Sequence, residues 1–247
     1  MYYFLDRSFW SHPGLIITFI SSLTTAIFLR YFIASLIYKL LLERFFHTKR
    51  NSFKGRSIQI KAELRWAMLS SLVFAVLCAL SLLAYHYDLT AIYVDIETYS
   101  WIYFFASPVI VLFLYETYYY WLHRWMHQPR IFKVVHKVHH DSILPTVFTA
   151  FSFHPLEALL QFIFFPVVII VLPLHPIMIG VLFTALTISA MINHSGVEIF
   201  GTGSSSKHII GSTHHDLHHR TFKFNFGLTL TWWDRWMKTE HKEAPIK

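Results

Sequence analysis

Trp101-Ile-Tyr-Phe-Phe-Ala-Ser-Pro-Val-Ile-Val-Leu-Phe-Leu-Tyr-Glu-Thr-Tyr-Tyr-Tyr-Trp-Leu122 runs directly into His123-Arg-Trp-Met-His127. The first part is long and apolar enough to cross a bilayer as a helix, which takes about 20 residues. The second places two imidazoles at i and i+4, on one helix face. A membrane helix that ends in a pair of potential metal ligands sets both the fold and the chemistry.

Two more clusters follow, His136-Lys-Val-His-His140 and His215-Asp-Leu-His-His219. Each can turn two or three nitrogens toward one point. Eight convergent imidazoles are too many for one ion and suit two. Cys78 is the only cysteine and lies in an apolar run, which excludes a thiolate zinc site, an iron–sulfur cluster and an internal disulfide. The metals must be held by nitrogen or oxygen. Soluble di-iron bundles use Glu and Glu-x-x-His ligands, and no such carboxylate set is present.

The rest of the chain reads as a membrane protein. It is 55% hydrophobic and only 14% charged, with a mean hydropathy of +0.44. Candidate spans are Pro13–Leu42, interrupted by Arg30 and Lys39, then Trp66–Tyr85 and Trp101–Leu122. A further apolar region, Leu156–Ile192, is broken by Pro173-Leu-His-Pro176 and reads as a hairpin that crosses or re-enters. The expected fold is all-α: a polytopic helical bundle of four to five spanning or re-entrant helices with a cytosolic histidine-rich cap. Residues 1–100 are expected to form N-terminal anchor helices and 101–240 the catalytic domain. Met1–Ser8 lacks the basic and small-residue features of a cleaved leader, so the first apolar run reads as an uncleaved anchor.

The net charge of +7 lies largely in short loops, which argues for a membrane surface rather than nucleic acid. Glu43–Arg65 holds Arg44, Lys49, Arg50, Lys54, Arg56, Lys61 and Arg65, whereas His86–Ser100 holds only Asp88, Asp95 and Glu97. The positive-inside rule makes the first loop cytoplasmic. Counting spans then puts all three clusters, with His194, on the cytoplasmic face of an inner membrane or endoplasmic reticulum. Gly201-Thr-Gly-Ser-Ser-Ser206 reads as a connector, and Phe222–Thr231 alternates like a weak strand or a surface segment.

The chain resembles the fatty acid hydroxylase/sterol desaturase superfamily of membrane di-iron oxygenases from about Tyr115 to Lys238. The likeness rests on Tyr119-Tyr-Trp-Leu-His-Arg-Trp-Met-His127, His136-Lys-Val-His-His140, Phe153-His-Pro-Leu-Glu157, Asn193-His-Ser-Gly196, His214-His-Asp-Leu-His-His219, Asn225-Phe-Gly227 and Trp233-Asp-Arg235. The closing stretch looks most like the sterol C5-desaturase branch. The resemblance implies O2-dependent hydroxylation or desaturation of a sterol, fatty acyl or related lipid. It implies two iron ions and electrons from a separate NAD(P)H-dependent donor, whether cytochrome b5, ferredoxin or a reductase. It implies ligation by His123, His127, His136, His139, His140, His194, His215, His218 and His219, with His214 as first candidate for a tenth ligand and His208 as second.

Other readings stay beside these. A membrane metal transporter needs ionisable ligands in mid-span, and a zinc hydrolase needs the HExxH glutamate that His123-Arg-Trp-Met-His127 lacks. Glu157 suits either a helix N-terminus or a ligand's N–H, and Asp141 and Asp216 invite the same pair of readings. His154 reads as orienting a ligand or the helix after it. Tyr118, Tyr119, Tyr120 and Trp121 read as an interfacial belt, with Trp232, Trp233 and Trp236 as anchors. His12, His47, His86, His175 and His241 read as interfacial or solvated. Lys133, Lys137, Lys207 and Arg220 are candidates for a donor-docking surface. Arg30 is expected to lie far from the clusters and to leave the chemistry untouched.

Overall fold

The computed structural model describes residues 7–46, 55–200 and 208–241, and the side chains of all of these except Arg7 and Ser8. His47, Lys49, Arg50, Lys54, the 201–206 connector and Lys207 lie outside the described residues, as does the start of the N-terminal anchor. Eleven α-helices follow in order among the described residues: α1 Arg7–Ser11, α2 Pro13–Phe45, α3 Ser57–His86, α4 Trp101–Met126, α5 Pro129–Val135, α6 Lys137–His140, α7 Pro155–Phe162, α8 Phe164–Val171, α9 Pro176–Asn193, α10 Ser212–Thr221 and α11 Trp232–Trp236. No strand occurs among the described residues; Phe222–Thr231 contributes only an isolated bridge from Leu230 to Ile209.

Four helices are long and apolar enough to cross a membrane: α2, α3, α4 and α9, of 33, 30, 26 and 18 residues. At 1.5 Å per residue even α9 is about 27 Å long. Their outward faces are apolar, with Ile102, Val109 and Ile17 each more than 60% exposed. That surface needs lipid rather than water around it. The inward faces pack through small residues: Ala67, Ser71, Ala75 and Ala79 recur every four positions on the buried side of α3. The chain is an integral membrane protein.

Proline and its neighbours set the helix limits. Pro13, Pro129, Pro155 and Pro176 all occupy first turns, where their missing N–H costs nothing. Pro108 stands inside α4 and cannot donate to the Phe104 carbonyl. The Ser107 hydroxyl donates to that carbonyl instead, at 3.1 Å. Ser100 caps α4 by accepting from the Tyr103 N–H at 3.3 Å.

The two ends of the bundle differ in composition. At one end Glu63, buried near the start of α3, accepts from Ser142 Oγ at 2.7 Å, Thr146 Oγ1 at 2.6 Å and Thr149 Oγ1 at 2.8 Å. This ties α3 to the loop that follows the second histidine cluster. At the other end the acidic segment between α3 and α4 meets the tip of the hairpin. There the Ala91 N–H donates to the Ile169 carbonyl at 2.8 Å, and the Tyr103 hydroxyl to the Pro173 carbonyl at 2.9 Å. The first hairpin arm, α7 and α8, therefore runs from the histidine end to the opposite end. Helix α9 returns and delivers His194 as its C-cap.

Candidate metal centre

Helix α4 ends with His123 in its last turn and His127 as its C-cap. His136, His139 and His140 come from the junction of α5 and α6, His194 from the end of α9, and His215, His218 and His219 from α10. These nine imidazoles form two groups: His123, His127, His136, His140 and His218, and His139, His194, His215 and His219. In each group the ligand atoms lie within 4.8 Å of one another.

The motif spacing explains the partition. In each His-x-x-His-His run the i and i+4 rings share a face, and the i+3 ring lies about 60° from the first and about 100° from the second. So His136 and His140 serve the first group while His139 serves the second. His215 and His219 serve the second group while His218 serves the first. Two rings of each run converge on one point, as the interval of four predicts, and the third serves the other point.

The outer nitrogens of five rings fix their tautomers. Nδ1 of His123, His218, His194 and His139 faces the carbonyls of Phe226 at 2.8 Å, Phe224 at 2.7 Å, Ala190 at 2.6 Å and Ser152 at 3.3 Å. A carbonyl only accepts, so each Nδ1 carries the proton and each Nε2 a lone pair. His136 Nδ1 donates to Glu157 Oε1 at 2.8 Å, and Gln161 Nε2 donates to the same oxygen at 2.9 Å. Glu157 thus meets both sequence readings: it stands in the first turn of α7 and receives a ligand's N–H.

The partial alternation at Phe222–Thr231 finds its use here. Phe222 takes φ 63° as the C-cap of α10, and Asn225 takes φ 62°. The chain doubles back, and the carbonyls of Phe224 and Phe226 reach His218 and His123, while that of Phe222 serves His127. Asp234 holds this turn by accepting from the Phe226 and Gly227 N–H groups at 2.8 and 2.9 Å. A Cβ on Gly227 would lie 2.6 Å from Ile210 Cδ1 and 2.8 Å from the Leu230 carbonyl oxygen, so only glycine fits.

Neighbouring Nε2 atoms stand 3.0–3.2 Å apart: His123 to His136, His136 to His140, and His140 to His218 in the first group, and His139 to His194, His194 to His215, and His215 to His219 in the second. Lone pairs aimed at each other across that distance repel, and a cation between them removes the repulsion. Ligands about 2.1 Å from an ion and at right angles to each other are about 3.0 Å apart, whereas tetrahedral ones are about 3.4 Å apart. The spacing fits an octahedral or square-pyramidal ion better than tetrahedral zinc. Burial, followed by the neighbouring imidazoles, pushes His136, His140, His215, His218 and His219 well below the ordinary imidazole range. Burial does the same to His139. Neutral rings are the form that binds metal.

An apolar cavity of about 420 Å³ ends at His139 and His194, both of the second group. Tyr115, Tyr119, Phe153 and Phe162 are among its walls. A second chamber of about 530 Å³ shares Cys78, Phe162, Phe165 and Phe183 with the first and extends to Ile92 and Val94 at the far end of the bundle. No member of the five-imidazole group lines either chamber.

Several expectations change. His214 joins neither group: it precedes His215, so its ring turns about 100° away and faces Asp234 Oδ2 at 3.2 Å. His208, the other candidate, lies against Arg235. His175 is buried as the cap of α9 rather than interfacial or solvated, whereas His154 meets the second of its two readings by capping α7, accepting from the Leu156 N–H at 3.3 Å. Tyr119 and Tyr120 are buried rather than interfacial, because they share α4's inner face with His123. Asp141 pairs with the exposed Lys137 at 2.6 Å, away from the imidazoles. Arg30 does not lie apart from the site; it lines the same cavity as His139 and His194. Its place inside an apolar span was the sequence signal for it.

Residues 108–239 match the family described as fatty acid hydroxylase. The chain is 32% identical over 155 residues to a Delta(7)-sterol 5(6)-desaturase of Gibberella zeae, a match that covers 62% of this chain and 47% of that protein. It is 35% identical over 116 residues to the Delta(7)-sterol 5(6)-desaturase of Saccharomyces cerevisiae, covering 47% of this chain and 31% of the other. With the lathosterol oxidase of Mus musculus it shares 33% identity over 136 residues, 55% of this chain and 45% of that protein. The matched region thus spans less than half the length of each of these relatives. No solved structure matches the chain.

Proposed function

The chain belongs to the fatty acid hydroxylase family, and from that premise we propose that it is an O2-dependent membrane di-iron oxidoreductase that hydroxylates or desaturates a C–H bond of a sterol, fatty acyl or related lipid. The observation that carries the proposal is two groups of largely buried imidazoles, five of them with the outer nitrogen hydrogen-bonded, one group closing the end of an apolar chamber. The five-member group would hold one iron and the four-member group the other. When bound, the iron pair supplies O2 activation strong enough for an unactivated C–H bond, given two electrons from a separate donor.

The chain's own residues then do the rest. His139 and His194 present the four-member group to the chamber. Tyr115, Tyr119, Phe153 and Phe162 line it and keep bulk water from the reacting carbon. Glu157 and the carbonyls of Phe224, Phe226, Ala190 and Ser152 hold the rings in one tautomer and orientation. The electron donor, a cytochrome b5, ferredoxin or reductase, would dock on the cytoplasmic histidine end, where Lys133 and Lys137 are exposed. Metal analysis with oxygen uptake tests the proposal. The expected result is about two irons per chain and O2 consumption stimulated by a lipid extract. Stoichiometric zinc without turnover would replace the oxidoreductase with a zinc hydrolase or a metal-binding scaffold.

A further inference from the structure

Among the described residues, Arg30 is the only Asp, Glu, Lys or Arg on the wall of either chamber. It lies 17 residues after Pro13 and 15 before Phe45 on α2, about 22 Å or more of helix from each end. Its Nη2 donates to Thr187 Oγ1 of α9 at 2.9 Å. The Thr187 hydroxyl is itself committed to the Phe183 carbonyl at 2.7 Å, so it offers Arg30 a neutral acceptor and nothing more. No carboxylate among the described residues pairs with the guanidinium. A guanidinium has five N–H donors in a fork matched to an oxyanion. A charge inside a span marks a ligand path when it faces a cavity.

From these observations we infer that Arg30 binds an oxyanion, a carboxylate or phosphate, on the otherwise apolar lipid that fills the chamber. The inference rests on the proposed role of the chamber as the lipid site. A neutral hydroxyl would supply one acceptor and leave the positive charge uncompensated among Phe74, Phe162 and Phe183. An oxyanion supplies the charge and two acceptors together. Thr187 precedes His194 by seven residues on α9, about 10 Å of helix rise. The charged end of the lipid is therefore held at a fixed distance from His139 and His194, and the apolar remainder occupies the two chambers. The access route is lateral: Arg30 and Thr184 are exposed on facing helices α2 and α9, and a Cβ on Gly180 would meet nothing within 4 Å. Arg30 is thus a specificity-determining residue for an anionic lipid.

Displacement of a fluorescent polyene fatty acid from the full iron-loaded chain in neutral detergent tests this. Competitors are oleate, lysophosphatidate, methyl oleate, oleyl alcohol and a 3-hydroxysterol. Oleate or lysophosphatidate is expected to compete about tenfold better than the ester and the alcohol, and which of the two is stronger tells carboxylate from phosphate. Arg30→Gln should reduce that preference to about twofold or less, and Arg30→Lys should restore part of it. The ester and alcohol comparison in the unaltered chain needs no variant to fold. Equal competition by acid, ester and alcohol overturns the role of Arg30 while leaving the lipid chamber standing, as does an unchanged preference in Arg30→Gln. Failure of every lipid to displace the probe overturns both the role of Arg30 and the lipid chamber.

Discussion

The two imidazole groups are built from the same three sequence clusters, yet they face different surroundings. The five-member group is walled by Phe132, Phe222 and Phe226, and its one half-buried member is His127, whose Nε2 faces that of His218 at 3.1 Å. Every ring in the four-member group is buried, and two of them form the end of the chamber. Five neutral donors nearly fill an octahedral ion, whereas four leave more positions open. The group with room to spare is the one that the cavity reaches. Chemistry at the four-member group and support from the five-member group is the division of labour this asymmetry favours.

Removing one ring from each side probes that division most severely. His139→Ala and His218→Ala are each expected to abolish turnover and lower iron content while the protein still inserts. The loss should be at least about 100-fold, more than loss of an outer hydrogen-bond partner causes. His127→Ala leaves four rings in its group and should keep more iron than His139→Ala, which leaves three. If His127→Ala loses the more iron, the four-member group is not the weaker holder and the comparison reverses.

Glu157 gives a finer probe, because it reaches only the five-member group, through His136. Glu157→Gln keeps an acceptor oxygen for the His136 N–H but replaces the carboxyl with an amide. Iron affinity or activity should fall about 10- to 100-fold. The deficit should fall on one iron per chain in a metal titration; an equal weakening of both would mean that the groups do not load separately.

Acid should act on both groups together. Burial holds the rings of His136, His139, His140, His215, His218 and His219 below the ordinary imidazole range. Below about pH 6.5 the unfolded chain takes up protons that the folded centre refuses. Stability from these groups is therefore fully present above that pH and is lost as the pH falls below it. Thermal unfolding of the chelated protein should move down between about pH 7 and about pH 5. A flat profile would mean that the rings titrate as freely when folded as when unfolded.

Much of this centre was legible in the sequence because helical spacing is local. His123 with His127, His136 with His140 and His215 with His219 all declare a shared face by an interval of four. The spans declared themselves by length, and Pro173 with Pro176 marked the hairpin. What the sequence did not disclose depends on how helices rotate against one another. Tyr119 and Tyr120 looked like belt residues until α4 turned its histidine face inward and carried them with it. Arg30 looked remote because the sequence separates it from Thr187 by 157 positions, and only the packing of α2 on α9 joins them. The three phenylalanine carbonyls at 222, 224 and 226 were invisible, since any residue has a carbonyl. Only the positive φ at Phe222 and Asn225 aims them.

The neighbours His214 and His215 sharpen the boundary of the four-member group at the smallest cost to the protein. His215 Nε2 lies 3.0 Å from His194 Nε2, whereas His214 Nε2 lies 3.2 Å from Asp234 Oδ2. Burial alone would push the Asp234 carboxyl up. The His214 ring and the Phe226 and Gly227 N–H groups outweigh it and hold the carboxyl below its usual range. His214→Ala removes one of those contacts and leaves both N–H groups, so the turn that carries Phe224 and Phe226 should persist. Stability should fall by about 1–3 kcal/mol, the cost of a lost hydrogen bond to a buried charge, with iron content unchanged. Halved iron in His214→Ala would make it a tenth ligand, the two groups would then be equal in number, and the asymmetry that assigns the chemistry to the chamber side would have to rest on the cavity alone.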